Sequence, residues 1–264
     1  MGVDDGRTGV HDERARADGR TRADERARAV DGRMRLRVTS HPVAGTTGSG
    51  LSRILSTGPM LRNTFVLPPD RQVGYLNASR ADLLRLGALF RVAATSPHSA
   101  VHVPVPPGGR PTSSLGGESR PLPMLLARED TGLRPSDWPD LRRAMRRAST
   151  PLTVTAPAAR PPERPDDVRR RADRHPARFA EHAATIVITA RAELLFWIGD
   201  WLTDVGDGVA RDGHVHRHGE SFLGDIVGFF DPEGTNRPMH AFCVVAVEPI
   251  FHRARWRRQR TPAG

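Results

Sequence analysis

The sequence predicts a single α/β domain in which a partly parallel sheet is flanked by helices, between charged and disordered termini. Two observations lead to this fold class. Residues 185–189 (Thr-Ile-Val-Ile-Thr) are apolar and β-branched enough for a central strand, and they run directly into a helical pattern that reaches residue 205. Further strand patterns alternate with helical patterns along the chain, which is typical of layered α/β proteins.

The first predicted elements are a short strand and a capped helix. Residues 64–67 (Thr-Phe-Val-Leu) favour a strand, which two prolines close. Ser79 is a suitable N-cap residue, with Asp82 three positions later. Apolar side chains then recur at helical spacing at Leu83, Leu86, Phe90 and Ala93. We therefore expect a helix with one buried stripe to begin after Ser79.

A second helix is predicted over residues 136–148. Before it, valines at 101, 103 and 105 alternate with His102 and Pro104 as in a half-buried strand, and residues 106–121 favour a loop. At about 100° per residue, one side of the helix is apolar and the other is basic. The apolar side carries Trp138, Leu141, Ala144, Met145 and Ala148, and the basic side carries Arg142, Arg143, Arg146 and Arg147.

The remaining elements lie in the second half of the chain. Leu152 and Val154 indicate a strand, and the proline-rich residues 157–165 indicate a semi-rigid linker. A charged helix is expected next, punctuated by Pro176. The strand at 185–189 and its helix follow, and residues 242–247 are the last apolar strand.

The predicted domain boundaries follow shifts in composition. Residues 1–58 are expected to be a disordered or low-complexity leader, Arg- and Asp-rich at first and then rich in Gly and Ser. Residues 60–250 form the α/β domain, and residues 251–264 form a basic tail. A start codon placed too far upstream would also explain the leader, with Met34 or Met60 as the true beginning.

Composition restricts the class of protein. All forty basic residues are arginine and the net charge is +10, which favours a polyanionic partner. The base composition of GC-rich DNA would produce the same bias. A single cysteine, Cys243, excludes an intrachain disulfide and fits a reducing compartment. Without a signal peptide or an apolar membrane span, we expect a cytoplasmic protein without a membrane partner.

Alternating histidines suggest a metal site. In an extended chain, His214, His216, His218 and Glu220 would project to one side, where imidazoles and a carboxylate can share one divalent transition metal ion. Acidic side chains on the helix before them, Glu193, Asp200 and Asp204, could orient the ligand histidines. A solvated loop with incidental histidines is the alternative.

A glycine-rich segment precedes the predicted domain. Residues 43–52 (Val-Ala-Gly-Thr-Thr-Gly-Ser-Gly-Leu-Ser) resemble, over ten residues, the phosphate-binding loop of DNA-translocase ATPases of the FtsK/SpoIIIE type. The resemblance implies nucleotide binding, but Leu51 stands where such a loop has its lysine. A flexible Gly/Ser linker is the alternative interpretation.

Three hypotheses for function follow. The first is largely non-specific binding of nucleic acid or another polyanion through arginine clusters. These clusters are Arg142, Arg143, Arg146 and Arg147 of the helix and Arg253, Arg255, Trp256, Arg257, Arg258 and Arg260 of the tail. The second is a metal-dependent, hydrolase-like enzyme that uses the histidine repeat. The third is a reading frame without a selected function, against which the periodic helices argue. Oligomeric state, catalytic residues and the question of enzymatic activity stay open.

Overall fold

The fold is a mixed α/β domain, which confirms the predicted class. The computed structural model describes residues 33–70, 73–105, 120–160, 175, 177–209, 220–231 and 240–247. Predicted features outside these ranges, including the N-terminal 32 residues and the basic tail, are not described by it.

Eleven strands and three α-helices make up the described part of the chain. The strands are β1 (Arg35–Pro42), β2 (Arg53–Thr57), β3 (Phe65–Asp70), β4 (Val73–Ala78), β5 (Ser99–Val103), β6 (Met124–Arg128), β7 (Thr150–Thr155), β8 (Ala177–His182), β9 (Thr185–Ala190), β10 (Glu220–Asp231) and β11 (His240–Val247). The helices are α1 (Arg80–Thr95), α2 (Trp138–Ala144) and α3 (Ala192–Val209). Two short 3₁₀ turns, Glu129–Thr131 and Pro135–Asp137, precede α2.

All eleven strands belong to one mixed sheet, in the order β3-β4-β11-β10-β8-β9-β6-β5-β2-β1-β7. The pairs β4–β11, β8–β10, β6–β9 and β2–β5 are parallel, and the other neighbours are antiparallel. Strand β3 stands at one end of this order, yet its Val66 also forms a bridge with Leu122, just before β6. The sheet is therefore curved. The predicted central strand β9 is buried at all six positions.

The two faces of the sheet bury different clusters. Helices α1 and α3 pack on one face, where they join the larger core with Val101, Leu126 and Ile188. On the opposite face, the smaller helix α2 covers a second core that includes Ile54 and Leu125. Because side chains alternate along a strand, the neighbouring residues Leu125 and Leu126 of β6 belong to opposite clusters.

Helix α1 begins where the sequence predicted. The Ser79 hydroxyl accepts a hydrogen bond from the Asp82 N–H at 3.4 Å, which satisfies one of the free N–H groups of the first turn. The predicted stripe (Leu83, Leu86, Phe90 and Ala93) is buried.

Helices α1 and α3 approach each other at two glycines. A Cβ atom built on Gly199 would lie 2.6 Å from the carbonyl oxygen of Gly87, and one built on Gly87 would lie 2.5 Å from that of Gly199. No real side chain fits at such distances, so only glycine permits this crossing.

The predicted start of the ordered domain near residue 60 is corrected by β1 and β2. Leu36 and Val38 of β1 are buried in the larger core, while Arg35 and Arg37, which alternate with them, are exposed. This is ordinary strand alternation. The arginine-rich composition concealed it, because the exposed positions look like a continuation of the charged leader.

Residues 43–52 form the connection between antiparallel strands β1 and β2. Val43 N–H donates to the carbonyl oxygen of Ser52 at 2.9 Å, and Gly50 N–H donates to that of Thr131 at 2.7 Å. A phosphate-binding loop leads into a helix whose free N–H groups face the phosphates, whereas a strand follows here. The nucleotide-binding interpretation is therefore wrong. The flexible-linker alternative is wrong as well, because Val43 and Leu51 are buried.

One predicted helix is shorter than expected, and the strand predicted around Leu152 is confirmed. Helix α2 ends at Ala144 and continues as a turn through residue 147, so it is shorter than the predicted helix over 136–148. The strand predicted around Leu152 is β7, which is almost wholly exposed because it is an edge strand of the sheet. Strands β4, β6, β8 and β10 were not predicted.

Candidate functional site

Helix α2 fixes a group of arginines on the surface. Pro135 opens the preceding 3₁₀ turn, and the carboxylate of Asp137 accepts a hydrogen bond from the Arg134 N–H at 3.0 Å. Trp138 and Leu141 are completely buried against the sheet, and Ala144 is nearly so. The indole N–H of Trp138 donates to the Thr185 hydroxyl at 2.8 Å. The helix is therefore held by a packed and hydrogen-bonded face, as its periodicity predicted.

Four arginines occupy the outer side of this segment, and we call them the α2 arginines: Arg142, Arg143, Arg146 and Arg147. All four are exposed. Arg143 forms an ion pair with Asp140 at 2.9 Å. Within the described ranges, no acidic side chain pairs with Arg142, Arg146 or Arg147. In the described part of the chain, the charges of these three arginines are therefore not offset by a carboxylate.

Arg142 reaches a strained turn. Its guanidinium donates to the carbonyl oxygen of Ala183 at 3.4 Å, in the two-residue turn between β8 and β9. Ala183 and Ala184 have φ values of 48° and 55°, in the left-handed region that favours glycine or asparagine. Arg142 thus connects α2 to the turn between β8 and β9.

Beside α2, three polar side chains form what we call the imidazole cluster: His41 of β1, Ser56 of β2 and His102 of β5. The Ser56 hydroxyl and Nδ1 of His102 lie 3.2 Å apart and share a hydrogen bond. Nδ1 of His41 donates to the carbonyl oxygen of Met145 at 2.9 Å, directly after α2. The ring of His102 also lies 5.3 Å from that of Trp138. The cluster therefore adjoins α2.

The surroundings of the cluster keep His102 uncharged. Burial, followed by the nearby charges of His41 and Arg142, lowers the pKa of His102 from 6.5 to about 4. His102 is consequently neutral at pH 7, in a place where positive charge already accumulates. An anion at this place would favour the protonated ring.

Sequence reasoning missed the imidazole cluster. His102 is at least 46 positions away from the other two members of the cluster. Only strand pairing brings them together, because Ser56 pairs with Thr39 of β1 and with His102 of β5. The one local signal was His102 itself, the polar member of an alternating strand pattern. Nothing in the sequence around Ser56 or His41 indicates this contact.

The predicted role of Asp200 is not the one observed. Its carboxylate lies 3.4 Å from the guanidinium of Arg91, which is buried between α1 and α3. Arg91 also donates to the Gly199 carbonyl oxygen at 3.0 Å and to the Thr203 hydroxyl at 2.7 Å. Burial lowers the pKa of Arg91 and raises that of Asp200, and their mutual attraction opposes both shifts. Asp200 thus serves as the counterion of a buried arginine in the helix interface.

The predicted metal site lies largely outside the described residues. His214, His216 and His218 are not described, and for Glu220 only the backbone is, as the first residue of β10. Within the described ranges, no three His, Cys, Asp or Glu side chains are grouped so that they could hold a metal ion. The tail residues Arg253, Arg255, Trp256, Arg257, Arg258 and Arg260 are also outside. Both sites stay predictions.

The chain matches no protein-family model, no curated protein and no solved structure. In the part of the chain that the structure describes, no helix is both long enough and apolar enough to cross a membrane.

Proposed function

We propose that the protein binds nucleic acid or another polyanion through the α2 arginines, with the arginines of the C-terminal tail as further contacts. The observation that carries the proposal is the exposure of four guanidinium groups on one short, firmly seated segment, three of them without an acidic partner in the described ranges. Guanidinium groups suit phosphate because their planar array of donors matches two of its oxygens.

The mode of binding follows from the type of contact. Arginines that meet phosphates position a protein on the nucleic acid without reading its sequence. Each neutralised phosphate releases counterions, so affinity falls steeply with salt concentration. We therefore expect largely sequence-independent binding. The net charge of +10 supports association with polyanions at low salt.

The test compares two double variants that each remove two exposed positive charges. Arg146→Ala with Arg147→Ala removes two α2 arginines without acidic partners in the described part. Arg80→Ala with Arg191→Ala removes two arginines that already pair with Asp207 and Glu129. Fluorescence anisotropy with a labelled DNA duplex would give the dissociation constant of each protein over a series of salt concentrations.

We expect a steep salt dependence for the unmodified protein. In the α2 double variant, the slope of log affinity against log salt should become shallower by about two, because about two phosphate contacts are lost. The control pair should change the slope much less. Binding that hardly responds to salt, or equal losses in the two variants, would contradict the proposal.

A further inference from the structure

The outer edge of strand β7 has no partner strand among those that the structure describes. β7 is the last strand in the order of the sheet, and β1 is the described strand that pairs with it. Five of its six residues are exposed, and Val154 is half-buried. An uncovered edge presents backbone N–H and C=O groups with which another strand can pair. This edge is therefore a candidate interaction surface.

The hydrogen bonds around β7 show which of its backbone groups face outward. Ala156 N–H donates to the carbonyl oxygen of Met34 at 2.8 Å, directly after the last β1–β7 pair. Opposite residues in an antiparallel ladder alternate between bonding to each other and facing away. Because Ala156 bonds towards β1, the backbone groups of every second residue of β7 face away from β1. These residues are Pro151, Thr153 and Thr155.

Two further observations agree with this assignment. Arg37 lies opposite Thr153, and its carbonyl oxygen accepts a hydrogen bond from Gly58 N–H on the other side, at 3.0 Å. Pro151 has no N–H, and a proline in a sheet is found where the missing donor faces away from the neighbouring strand. The outward groups are thus the N–H and C=O of Thr153 and Thr155, together with the C=O of Pro151.

The side chains of β7 suit a second copy of the same strand. The strand has no charged residue, although 27% of the chain is charged, so self-pairing brings no like charges opposite each other within it. Leu152, 41% exposed, is the one exposed large hydrophobic side chain in the described ranges, and it shares a face with Val154. If two β7 strands pair antiparallel with Thr153 opposite itself, Leu152 of each copy lies opposite Val154 of the other. The Cα atoms of such pairs are about 4.5 Å apart, so these apolar side chains would contact each other.

We propose that the protein forms a symmetric dimer in which the β7 edges of two copies pair antiparallel, centred on Thr153. Thr153 N–H of each copy donates to the Thr153 carbonyl oxygen of the other, and Thr155 N–H donates to the carbonyl oxygen of Pro151. The same edge serves on both sides, so association stops at two copies. Two short strands bury less than the roughly 1,200 Å² of a stable interface, so we expect a dissociation constant of about 10–100 µM.

The dimer would also enlarge the basic surface. The twofold axis of such a pair stands perpendicular to the sheet, so the same face of both copies points to the same side. Arg35 and Arg37 are exposed and alternate with Leu36 and Val38 of the larger core, which places them on the face that α2 covers. Two copies would therefore present these arginines and the α2 arginines on one side. The longer row of phosphate contacts that results rests on the proposed function, whereas the dimer itself does not.

Sedimentation velocity of the full-length protein without nucleic acid, over a series of concentrations, tests the dimer. We expect a concentration-dependent change from monomer to dimer. Thr153→Pro removes the outward N–H and leaves the hydrogen bonds to β1, so it should raise the dissociation constant at least about tenfold. Thr153→Ala keeps the N–H and is the matched control, which should change the constant much less. A monomer at every concentration, or an unchanged dimer in folded Thr153→Pro, overturns the proposal.

Cysteine cross-linking tests the register and does not depend on proline being tolerated. The Cα atoms of opposite residues in a hydrogen-bonded pair are about 5.5 Å apart, within the range of a disulfide. Thr153→Cys should therefore give a covalent dimer under mild oxidation. Thr155→Cys is the control, because its two copies would lie roughly 14 Å apart and should not cross-link. Equal cross-linking of the two variants, or none in Thr153→Cys, overturns the proposal.

The dimer and the proposed function can fail separately. Salt-dependent binding of DNA by a protein that stays monomeric overturns the dimer and leaves the proposed function standing. A dimer that Thr153→Pro disrupts, but that binds no nucleic acid or other polyanion, supports the β7 interface and overturns the proposed function.

Discussion

His102 links the packing of α2 to the charge of the surface. Its ring contacts the buried Trp138, shares a hydrogen bond with Ser56 and lies within the electrostatic reach of two cationic groups. Burial and positive neighbours both favour the neutral ring, so folding and protonation of His102 oppose each other. This opposition has a measurable consequence for stability in acid.

The pKa of His102 is about 4 in the folded protein and near 6.5 in an unfolded chain. Between these values the unfolded chain binds a proton that the folded protein does not, so the free energy of unfolding falls as the pH drops from about 6.5 to about 4. Above pH 6.5 this contribution is fully present. Because the ring is half-buried, we expect a loss of about 2–3 kcal/mol from this residue alone.

Urea unfolding of the unmodified protein and of His102→Gln at several pH values tests this prediction. Glutamine keeps a polar group near Ser56 but does not titrate. The stability of the variant should fall less between pH 6.5 and 4 than that of the unmodified protein. His98→Gln, at an exposed position, is the matched control for the loss of one imidazole. Parallel pH profiles for the protein and the His102 variant would contradict the assignment.

At the scale of the elements, the crossing of α1 and α3 organises the helical layer. Gly87 and Gly199 let the two backbones touch, and the buried Arg91 bonds across the same interface to Gly199 and Thr203. Close approach and buried charge depend on each other here, because Arg91 reaches its acceptors only if the helices stay close.

Gly199→Ala is therefore expected to destabilise the protein. The new methyl group would lie within 2.8 Å of both the Gly87 carbonyl oxygen and Cγ of Arg91, so the helices must separate. We expect the free energy of unfolding to fall by about 2 kcal/mol, even though alanine favours a helix. Gly208→Ala, on the same helix but with no atom within 4 Å of the new group, is the control. It should be neutral or stabilising by about 0.5 kcal/mol in thermal or urea unfolding.

The elements that could be predicted from sequence are those with strong local signals. Helix α1 has an N-cap serine and a clear apolar stripe, α2 has opposite apolar and basic sides, and β9 is an uninterrupted β-branched run. Strands β1 and β2 could not be recognised, because their arginines matched the composition of the leader. Local patterns also could not reveal the imidazole cluster, since strand pairing alone unites its members. Helical spacing also explains why Arg142 and Arg143 are exposed opposite Trp138 and Leu141, whereas Arg146 and Arg147 lie in the turn after the helix.

At the scale of the whole molecule, strands β1 and β2 lie next to the edge strand β7 and contribute side chains to both cores. Strand β1 lies between β2 and β7, and Ala156 N–H donates to the carbonyl oxygen of Met34 at 2.8 Å. Without β1 and β2, strand β7 would lose its described partner, and the apolar side chains of Leu36, Val38, Ile54 and Leu55 would be missing from the two cores.

This arrangement predicts different outcomes for two truncated proteins. Each lost apolar side chain contributes about 1.5–3 kcal/mol, and whole domains are stable by only about 5–15 kcal/mol. A chain that begins at Met60 should therefore show no cooperative thermal transition. A chain that begins at Met34 keeps all eleven described strands and should unfold cooperatively near the temperature of the full-length protein. A cooperative transition at that temperature in the shorter chain would contradict the assigned role of β1 and β2.

The strand order also determines how far the sheet can form while the chain is being synthesised. Strand β4 lies between its hairpin partner β3 and strand β11, which comes from near the other end of the chain. At ordinary rates of translation, on the order of ten seconds pass between the synthesis of β4 and that of β11. During that time one edge of the β3–β4 hairpin is open to pairing with foreign strands. Completion of this half of the sheet must therefore follow synthesis of nearly the whole chain, and chaperones that cover exposed strand edges should improve the yield of folded protein.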